Sequence, residues 1–149
     1  MILKKGNIFD DFEELDFVGI TTNSILTKGG ALVMGAGVAK TAKEYCSSLP
    51  VLFGSQIKAK EIEGGFYGLL VQGKYFAFQT KRHWKYNSSL SDVIQSINML
   101  KRVSTKYSSK KFGLPFPAIN NGGLNWMDII VQLEELPDNV TVYHLEDLK

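Results

Sequence analysis

The sequence predicts a single α/β domain built on a mixed β-sheet. Apolar and β-branched runs of strand length alternate along the chain with segments of helical periodicity. Two of these runs, 66–71 and 75–80, are separated only by residues 72–74, which predicts an antiparallel hairpin. Two glycine-bearing loops each follow a predicted strand and precede a predicted helix. Because strand–loop–helix units favour parallel neighbours, the hairpin makes the expected sheet mixed.

One domain covering residues 1–149 is expected from length and composition. The chain is 44% hydrophobic and 21% charged, which is typical of a globular protein, and about 70% of its extended surface can be buried. It has no apolar run of roughly 18 residues and no signal-peptide pattern, so we expect a cytoplasmic monomer without membrane contact. Cys46 is the single cysteine, and the spacing of cysteine and histidine predicts no metal site and no cofactor. The net charge of +2 does not repel an anionic ligand.

The first two predicted strands bring polar residues to one edge of the sheet. The strand over 1–8 places Asn7 at its carboxyl end, where open α/β sheets bind ligands. The amide of Asn7 offers one donor and one acceptor to a base edge, and the alternative is an ordinary turn asparagine. The strand over 17–23 delivers Thr22 and Asn23 to the same edge, where they are candidates for ribose contacts.

Residues 29–40 form the first glycine-rich loop, around which the chain is organised. Small residues between its four glycines let backbone N–H groups approach a ligand, and 38–45 then has the pattern of a helix. The stretch can therefore hold a phosphate at a helix N-terminus. It has neither the Lys-Ser or Lys-Thr of a Walker loop nor the acidic residue of a dinucleotide-binding fold. The alternative is that this loop is only a tight connection.

Two helices flank the predicted hairpin in sequence. The first covers 51–62, beyond a break in the pattern at Leu49-Pro50. The second covers 90–103, where apolar residues recur every three or four positions, and Ser89 is its expected N-cap.

Basic and aromatic residues alternate between the hairpin and the second of these helices. We call residues 81–86 the basic-aromatic segment. Such a segment could stack bases and hold phosphates. The residues expected to contact a nucleic acid are Lys81, Arg82, Trp84 and Lys85. The alternative is a solvated strand end whose aromatic rings cover the edge of the core.

A second glycine-bearing loop follows the next predicted strand. The apolar run 111–119 contains prolines that suit a strand end, and 120–124 is the loop itself. Asn125 is the expected N-cap of a helix whose apolar face carries Met127, Ile130 and Leu133. The last strand covers 140–145, and His144 is expected to be an ordinary strand residue rather than a catalytic base.

The two loops are expected to face one another across a cleft at the carboxyl ends of the strands. Such a cleft suits a diphosphate with a base at one end and a sugar at the other. Four motifs occur in order: Gly6-Asn7-Ile8, Thr22-Asn23, Met-Gly-Ala-Gly-Val-Ala at 34–39, and Pro-Ala-Ile followed by Asn-Gly-Gly-Leu-Asn-Trp within 117–126. With these motifs, nearly the whole chain resembles the macro domain family. It is most similar to the branch of terminal ADP-ribose glycohydrolase, DarG-type antitoxin macro domains and ADP-ribose 1''-phosphatase proteins.

The resemblance implies a three-layer α/β/α fold with a mixed central sheet and a cleft for ADP-ribose. It implies that Asn7 contacts adenine and that residues 143–145 flank it. It also implies that Asn23 and residues 35–39 contact the distal ribose and the diphosphate, and that residues 121–124 make a second phosphate contact. The candidate ligand-binding residues are therefore Asn7, Ile8, Thr22, Asn23, Met34, Gly35, Ala36, Gly37, Val38, Ala39, Ile119, Asn120, Asn121, Gly122, Gly123, Leu124, Tyr143 and Leu145.

The same branch places a lysine directly after the hairpin strand, and Lys81 matches this position. Neighbouring cations such as Arg82 are expected to lower its pKa, so that Lys81 acts as nucleophile or electrostatic trigger in glycosidic cleavage. The second loop lacks the acidic residue of terminal ADP-ribose glycohydrolase. The resemblance therefore implies the arrangement of the DarG type, in which a lysine acts without that acidic residue.

The resemblance implies a hydrolase that removes ADP-ribose from a modified nucleic acid or protein. One alternative is an ADP-ribose 1''-phosphatase, in which Asn23 and the second loop position the phosphate. Another is a reader module that binds ADP-ribose without turnover. A nucleic-acid-binding module built on the basic-aromatic segment is a fourth possibility, with steeply salt-dependent affinity.

Overall fold

The computed structural model describes residues 1–120 and 122–148. Six strands form one sheet: β1 (Ile2–Lys5), β2 (Phe17–Thr22), β3 (Leu69–Gln72), β4 (Tyr75–Gln79), β5 (Phe112–Pro115) and β6 (Val140–His144). Four α-helices accompany it: α1 (Gly37–Tyr45), α2 (Leu49–Ala59), α3 (Leu90–Lys106) and α4 (Trp126–Leu133). A short 3-10 helix covers Ile8–Asp11.

The sheet is mixed, as the sequence predicts. Its strand order is β1-β6-β5-β2-β4-β3, and β3 and β4 form an antiparallel hairpin while the other neighbours are parallel. Gln72 pairs with Tyr75, so the hairpin turn is shorter than the predicted link. The carboxyl ends of β2, β4, β5 and β6 therefore lie along one edge of the sheet.

Strand β4 shows how the sheet divides the core into two layers. Its side chains are all buried and alternate between the two faces. Tyr75 and Ala77 belong to the apolar cluster that includes Phe53 of α2, whereas Phe76 and Phe78 belong to the cluster with Ile97 of α3. Helices thus cover both faces, which confirms the predicted three-layer α/β/α arrangement.

Two details of the predicted helices are wrong. Helix α2 begins at Leu49 rather than after Pro50, because proline is well tolerated in the first turn, where its missing N–H has no intrahelical partner. In α4, Met127 is 55% exposed, whereas Ile129 and Leu133 are fully buried. Since the inward face follows the spacing of Trp126, Ile129, Ile130 and Leu133, Met127 falls outside it.

Both predicted helix N-caps are present. The Ser89 side chain accepts a hydrogen bond from the Asp92 N–H at 3.3 Å, and the Asn125 side chain accepts one from the Met127 N–H at 3.0 Å. Over the described ranges, no helix combines the length and apolar character needed to cross a membrane.

Candidate functional site

A cavity of about 1150 Å³ opens along the carboxyl edge of the sheet. Its wall contains residues that follow four different strands: Lys81 after β4, 33–39 after β2, 118–120 and 122–126 after β5, and 143–148 at the end of β6. Because β5 and β2 lie between β6 and β4, the outer two strands are about 14 Å apart, at about 4.8 Å per strand. The cavity is therefore an elongated cleft with Lys81 at one end and Tyr143 at the other.

The first glycine-rich loop brings the N-terminus of α1 to the middle of this cleft. Gly35, Ala36 and Gly37 are exposed in the cavity wall. Ala36 is the N-cap residue of α1 and has no polar side-chain atom, so it cannot satisfy the backbone N–H groups of the first turn. The first turn also carries no acidic residue. These N–H groups and the positive end of the helix dipole can therefore meet an anion in the cleft.

The polar side chains before this loop form hydrogen bonds within the protein. Asn23 donates from Nδ2 to the Val33 carbonyl at 3.0 Å, and its Oδ1 accepts from the Ile25 N–H at 2.9 Å. The Thr22 and Tyr67 hydroxyls share a hydrogen bond, and the Tyr67 hydroxyl also donates to the Asn23 carbonyl at 2.7 Å. Burial raises the pKa of Tyr67, so this hydroxyl stays protonated. Thr22 and Asn23 line the cleft, and the structure gives both a role in shaping the loop, while their predicted ribose contacts stay predictions.

Close packing shapes the second loop. Ala118 adopts a left-handed conformation with φ of 66°, and its carbonyl accepts a hydrogen bond from the Leu124 N–H at 2.9 Å. A Cβ atom at Gly122 would lie 2.4 Å from Ser88 Oγ and 2.6 Å from the Ala118 Cα, so this position requires glycine. The predicted contact of Asn121 lies outside the described residues.

Lys81 lies in the cleft wall two residues after β4 ends. The preceding residue continues the sheet, because the Thr80 N–H donates to the Thr22 carbonyl at 3.0 Å. The Lys81 amine donates to the Tyr86 carbonyl at 3.2 Å, and partial burial lowers its pKa. A lowered pKa increases the fraction of neutral amine, which is the nucleophilic form.

The expected cause of this lowered pKa is wrong. The guanidinium of Arg82 binds Asp92, with Nε 3.0 Å from Oδ2 and Nη2 3.2 Å from Oδ1. Asp92 is only 3% exposed. Because the charge of Arg82 is paired with a carboxylate, desolvation rather than a neighbouring cation lowers the pKa of Lys81.

The basic-aromatic segment is a compact turn that displays two aromatic rings. The Tyr86 N–H donates to the His83 carbonyl at 3.3 Å, and the Lys85 N–H donates to His83 Nδ1 at 3.0 Å. Trp84 lines the cleft and is 54% exposed, and Tyr86 is 64% exposed. Since these rings are largely exposed, they do not cover the edge of the core, which argues against the structural alternative for this segment.

The other end of the cleft is formed by β6 and the residues after it. Tyr143 and Leu145 line it, and the Tyr143 hydroxyl donates to Asp11 Oδ2 at 2.8 Å. Lys4 donates to the same carboxylate oxygen at 2.6 Å, and these hydrogen bonds lower the pKa of Asp11. The Tyr143 ring is therefore held in one orientation.

The structure places Asn7 and Ile8 beside this end rather than in the cleft wall. The Asn7 Oδ1 accepts a hydrogen bond from the Phe9 N–H at 2.9 Å and caps the 3-10 helix. This is the alternative turn role that local sequence allows. Ile8 is 3% exposed and belongs to the core. Adenine recognition by these two residues stays a prediction.

The cleft contains most of the residues selected from the sequence. The predicted site residues in its wall are Thr22, Asn23, Met34, Gly35, Ala36, Gly37, Val38, Ala39, Lys81, Ile119, Asn120, Gly122, Gly123, Leu124, Tyr143 and Leu145. Wall residues absent from that prediction include Phe116, Trp126, Glu146 and Asp147. Trp126 stands in the Asn-Gly-Gly-Leu-Asn-Trp motif, which could have indicated it, whereas the two acidic residues follow the last strand without any motif. Contact of these residues with a ligand stays a prediction.

No protein-family model matches the chain. A curated relative, the DNA ADP-ribosyl glycohydrolase of Mycobacterium tuberculosis, is 27% identical over 116 residues, which are 71% of this chain. The chain spans about a third (33%) of the length of that relative.

Solved structures with the same fold cover nearly the whole chain. Thermosipho africanus DarTG, solved in complex with ADP-ribose, matches 100% of this chain and 43% of its own, with a TM-score of 0.75 and 24% identity. The macrodomain of Thermus aquaticus DarG matches 98% of this chain and 97% of its own, with a TM-score of 0.74 and 24% identity.

The six-stranded mixed sheet, its helix layers and these matches define the macrodomain fold. Within that fold, the chain is similar to DarG macrodomains, as the motifs of its two loops indicate.

Proposed function

We propose that this protein binds ADP-ribose in the cleft and hydrolyses the bond that joins ADP-ribose to a nucleic acid. The observation that carries the proposal is the place of Lys81 in the wall of the same cleft as both glycine-bearing loops. Similarity to a DNA ADP-ribosyl glycohydrolase and to a DarTG structure that contains ADP-ribose supports it. Removal of ADP-ribose from a protein is the same chemistry on another carrier.

The shape of the cleft suggests how the ligand lies. The diphosphate meets the N-terminus of α1 at Gly37, near the middle of the cleft. Tyr143 and Leu145 then flank adenine at one end, and the distal ribose lies toward Lys81 at the other. This orientation places the anomeric carbon, to which the carrier is attached, near the amine.

Lys81 has the chemistry for the cleavage step. Its lowered pKa increases the fraction of neutral amine, which attacks the anomeric carbon as the bond to the carrier breaks. The amine loses its proton and the leaving group gains one. Water then hydrolyses the new carbon–nitrogen bond, which releases ADP-ribose and restores the lysine.

The basic-aromatic segment is the proposed contact for the carrier. Trp84 borders the cleft at the Lys81 end, and Lys85 and Tyr86 are exposed next to it. Exposed aromatic rings beside cations are the usual platform for single-stranded nucleic acid, since each base can stack on a ring. Arg82 is held beside these residues by its ion pair with Asp92, and its side chain is 54% exposed.

Replacement of Lys81 by alanine tests the proposal. We expect K81A to bind free ADP-ribose like the wild type and to lose at least about 10²-fold in turnover of an ADP-ribosylated oligonucleotide. K106A, which removes an exposed lysine at the far end of α3, is the matched control and should keep full turnover.

Three outcomes would contradict the proposal. Full turnover by K81A would remove Lys81 from the mechanism. Release of inorganic phosphate from ADP-ribose 1''-phosphate, without cleavage of the oligonucleotide or of an ADP-ribosylated protein, would indicate the phosphatase. Saturable ADP-ribose binding with no product from any of these substrates would indicate a reader module.

A further inference from the structure

Two buried side chains hold the backbone on which Lys81 stands. Gln79 donates from Nε2 to the carbonyls of Gly65 at 2.7 Å and of Lys81 at 3.2 Å. The Ser24 hydroxyl lies 2.8 Å from the same Gly65 carbonyl and 3.0 Å from the carbonyl of Arg82. Gly65 is thus a common anchor, and each side chain connects it to one residue of the Lys81-Arg82 pair.

Both side chains are completely buried, with 0% exposure for Gln79 and for Ser24. The Gln79 Oε1 also accepts hydrogen bonds from the N–H groups of Tyr67 at 2.6 Å and Gly68 at 3.1 Å. Both donors and the acceptor of the Gln79 amide are therefore satisfied within the protein. A buried polar network of this kind is rigid, because moving any member leaves a buried group without a partner.

The hydrogen bonds of Gln79 and Ser24 lie where the backbone pairing of the sheet ends. Strand β4 stops at Gln79, and the last backbone hydrogen bond that continues the sheet runs from the Thr80 N–H to the Thr22 carbonyl. Beyond this point, the Arg82 carbonyl accepts a long hydrogen bond of 3.4 Å from the Ser24 N–H. The two side chains thus supply much of the support for a segment that no strand contains.

We propose that Gln79 and Ser24 are positioning residues, which hold the carbonyls of Lys81 and Arg82 so that the Lys81 amine stays at its end of the cleft. This inference rests on the proposed catalytic role of Lys81. Neither side chain is in the cleft wall, so Gln79 acts through the backbone of Lys81 and Ser24 through that of Arg82, rather than on the substrate.

A serine-to-alanine pair separates positioning from simple stability. Ser24→Ala removes the hydroxyl that reaches Arg82, while Ser104→Ala removes an equally buried hydroxyl, which donates to the Leu100 carbonyl within α3 at 2.6 Å. Both variants lose a buried serine donor to a carbonyl, and only the first lies beside Lys81. Gln79→Glu is the second variant, because a carboxyl group keeps the acceptor and at most one of the two donors.

Turnover, ligand affinity and the titration of the Lys81 amine are measured on all three variants. We expect S24A and Q79E to lose about 10²-fold in kcat with ADP-ribose affinity within about twofold, since an ångström of misplacement costs this much. S104A should keep the wild-type kcat. In the background of K81A, S24A should cause no further loss, because its effect passes through Lys81.

The ¹³Cε resonance of Lys81 gives a readout that needs no turnover. Its titration midpoint should move to higher pH in S24A, as the amine gains water, and stay unchanged in S104A. If K81A is inactive while S24A and S104A match in kcat and in midpoint, the positioning role is wrong and the proposed function stands. If K81A keeps full activity, the proposed function fails, and an unshifted midpoint in S24A then overturns the positioning role as well.

Discussion

Arg82 and Asp92 form a two-point ion pair between the basic-aromatic segment and the first turn of α3. Nε and Nη2 of the guanidinium reach the two carboxylate oxygens at 3.0 and 3.2 Å. Asp92 is buried, whereas the Arg82 side chain is 54% exposed. The pair therefore anchors the segment to the helix.

Arg82→Ala should destabilise the protein by about 1–3 kcal/mol, because it leaves the buried carboxylate of Asp92 without its charged partner. Urea denaturation followed by circular dichroism measures this loss. The control is Lys101→Ala, whose amine lies 4.0 Å from Glu135 with both side chains about half exposed. That variant should stay within about 0.5 kcal/mol of the wild type. Equal stability of the two variants would show that the Arg82 pair has no anchoring role.

Gly35→Val should block the cleft without unfolding the protein. A Cβ atom added at Gly35 meets no heavy atom within 4 Å, so the fold accepts a side chain there, in the wall where the ligand is proposed to lie. We expect ADP-ribose affinity to fall at least about tenfold, or about 1.4 kcal/mol. Gly29→Val, on an exposed part of the chain outside the cleft wall, is the control and should bind normally. Normal binding by Gly35→Val would place the ligand elsewhere.

Stability should fall in acid partly through Asp11. Hydrogen bonds from Lys4 and Tyr143 lower the pKa of this carboxyl below its ordinary value of about 3.8. A lowered folded-state pKa stabilises the protein above the unfolded-state pKa, and this stabilisation is lost as pH falls through the folded-state pKa. The difference in unfolding free energy between wild type and Asp11→Asn should therefore shrink from pH 7 to pH 3. A difference that stays constant from pH 7 to pH 3 would contradict this linkage.

Trp84→Ala should weaken binding of a nucleic-acid carrier. Loss of one stacking ring costs about 1–3 kcal/mol per base in single-strand complexes. Fluorescence anisotropy with an ADP-ribosylated oligonucleotide, measured on the inactive K81A background, should show this loss. Tyr107→Ala removes another exposed ring, at the end of α3, and should have no effect. If the two variants bind the oligonucleotide equally well, Trp84 does not contact the carrier.

Local chemistry explains which parts of this fold could be predicted from the sequence. Strand β4 and the N-caps Ser89 and Asn125 depend on residues within a few positions of each other, and the structure confirms all three. Of the three residues predicted on the apolar face of α4, Ile130 and Leu133 pack on the core and Met127 does not. A shift of one residue turns a side chain by about 100° around the helix, so apolar spacing alone does not fix the inward face.

Contacts between distant segments could not be predicted in the same way. Gln79 stands in an apolar strand and gives no sign that it binds Gly65 and the Lys81 carbonyl, because residues 65–68 must first fold back beside it. The pairing of Arg82 with Asp92 likewise depends on how α3 packs after the turn. The desolvation that lowers the pKa of Lys81 is a property of the folded cleft and has no local signature.

Both proposals depend on ADP-ribose binding in the cleft. Isothermal titration calorimetry with ADP-ribose, and with AMP and NAD as controls, measures this binding. We expect saturable binding of ADP-ribose, at least about tenfold tighter than either control, because only ADP-ribose places a diphosphate at α1 and a free distal ribose toward Lys81. Absence of binding, or equal binding of AMP, would mean that the two glycine-bearing loops do not form an ADP-ribose site.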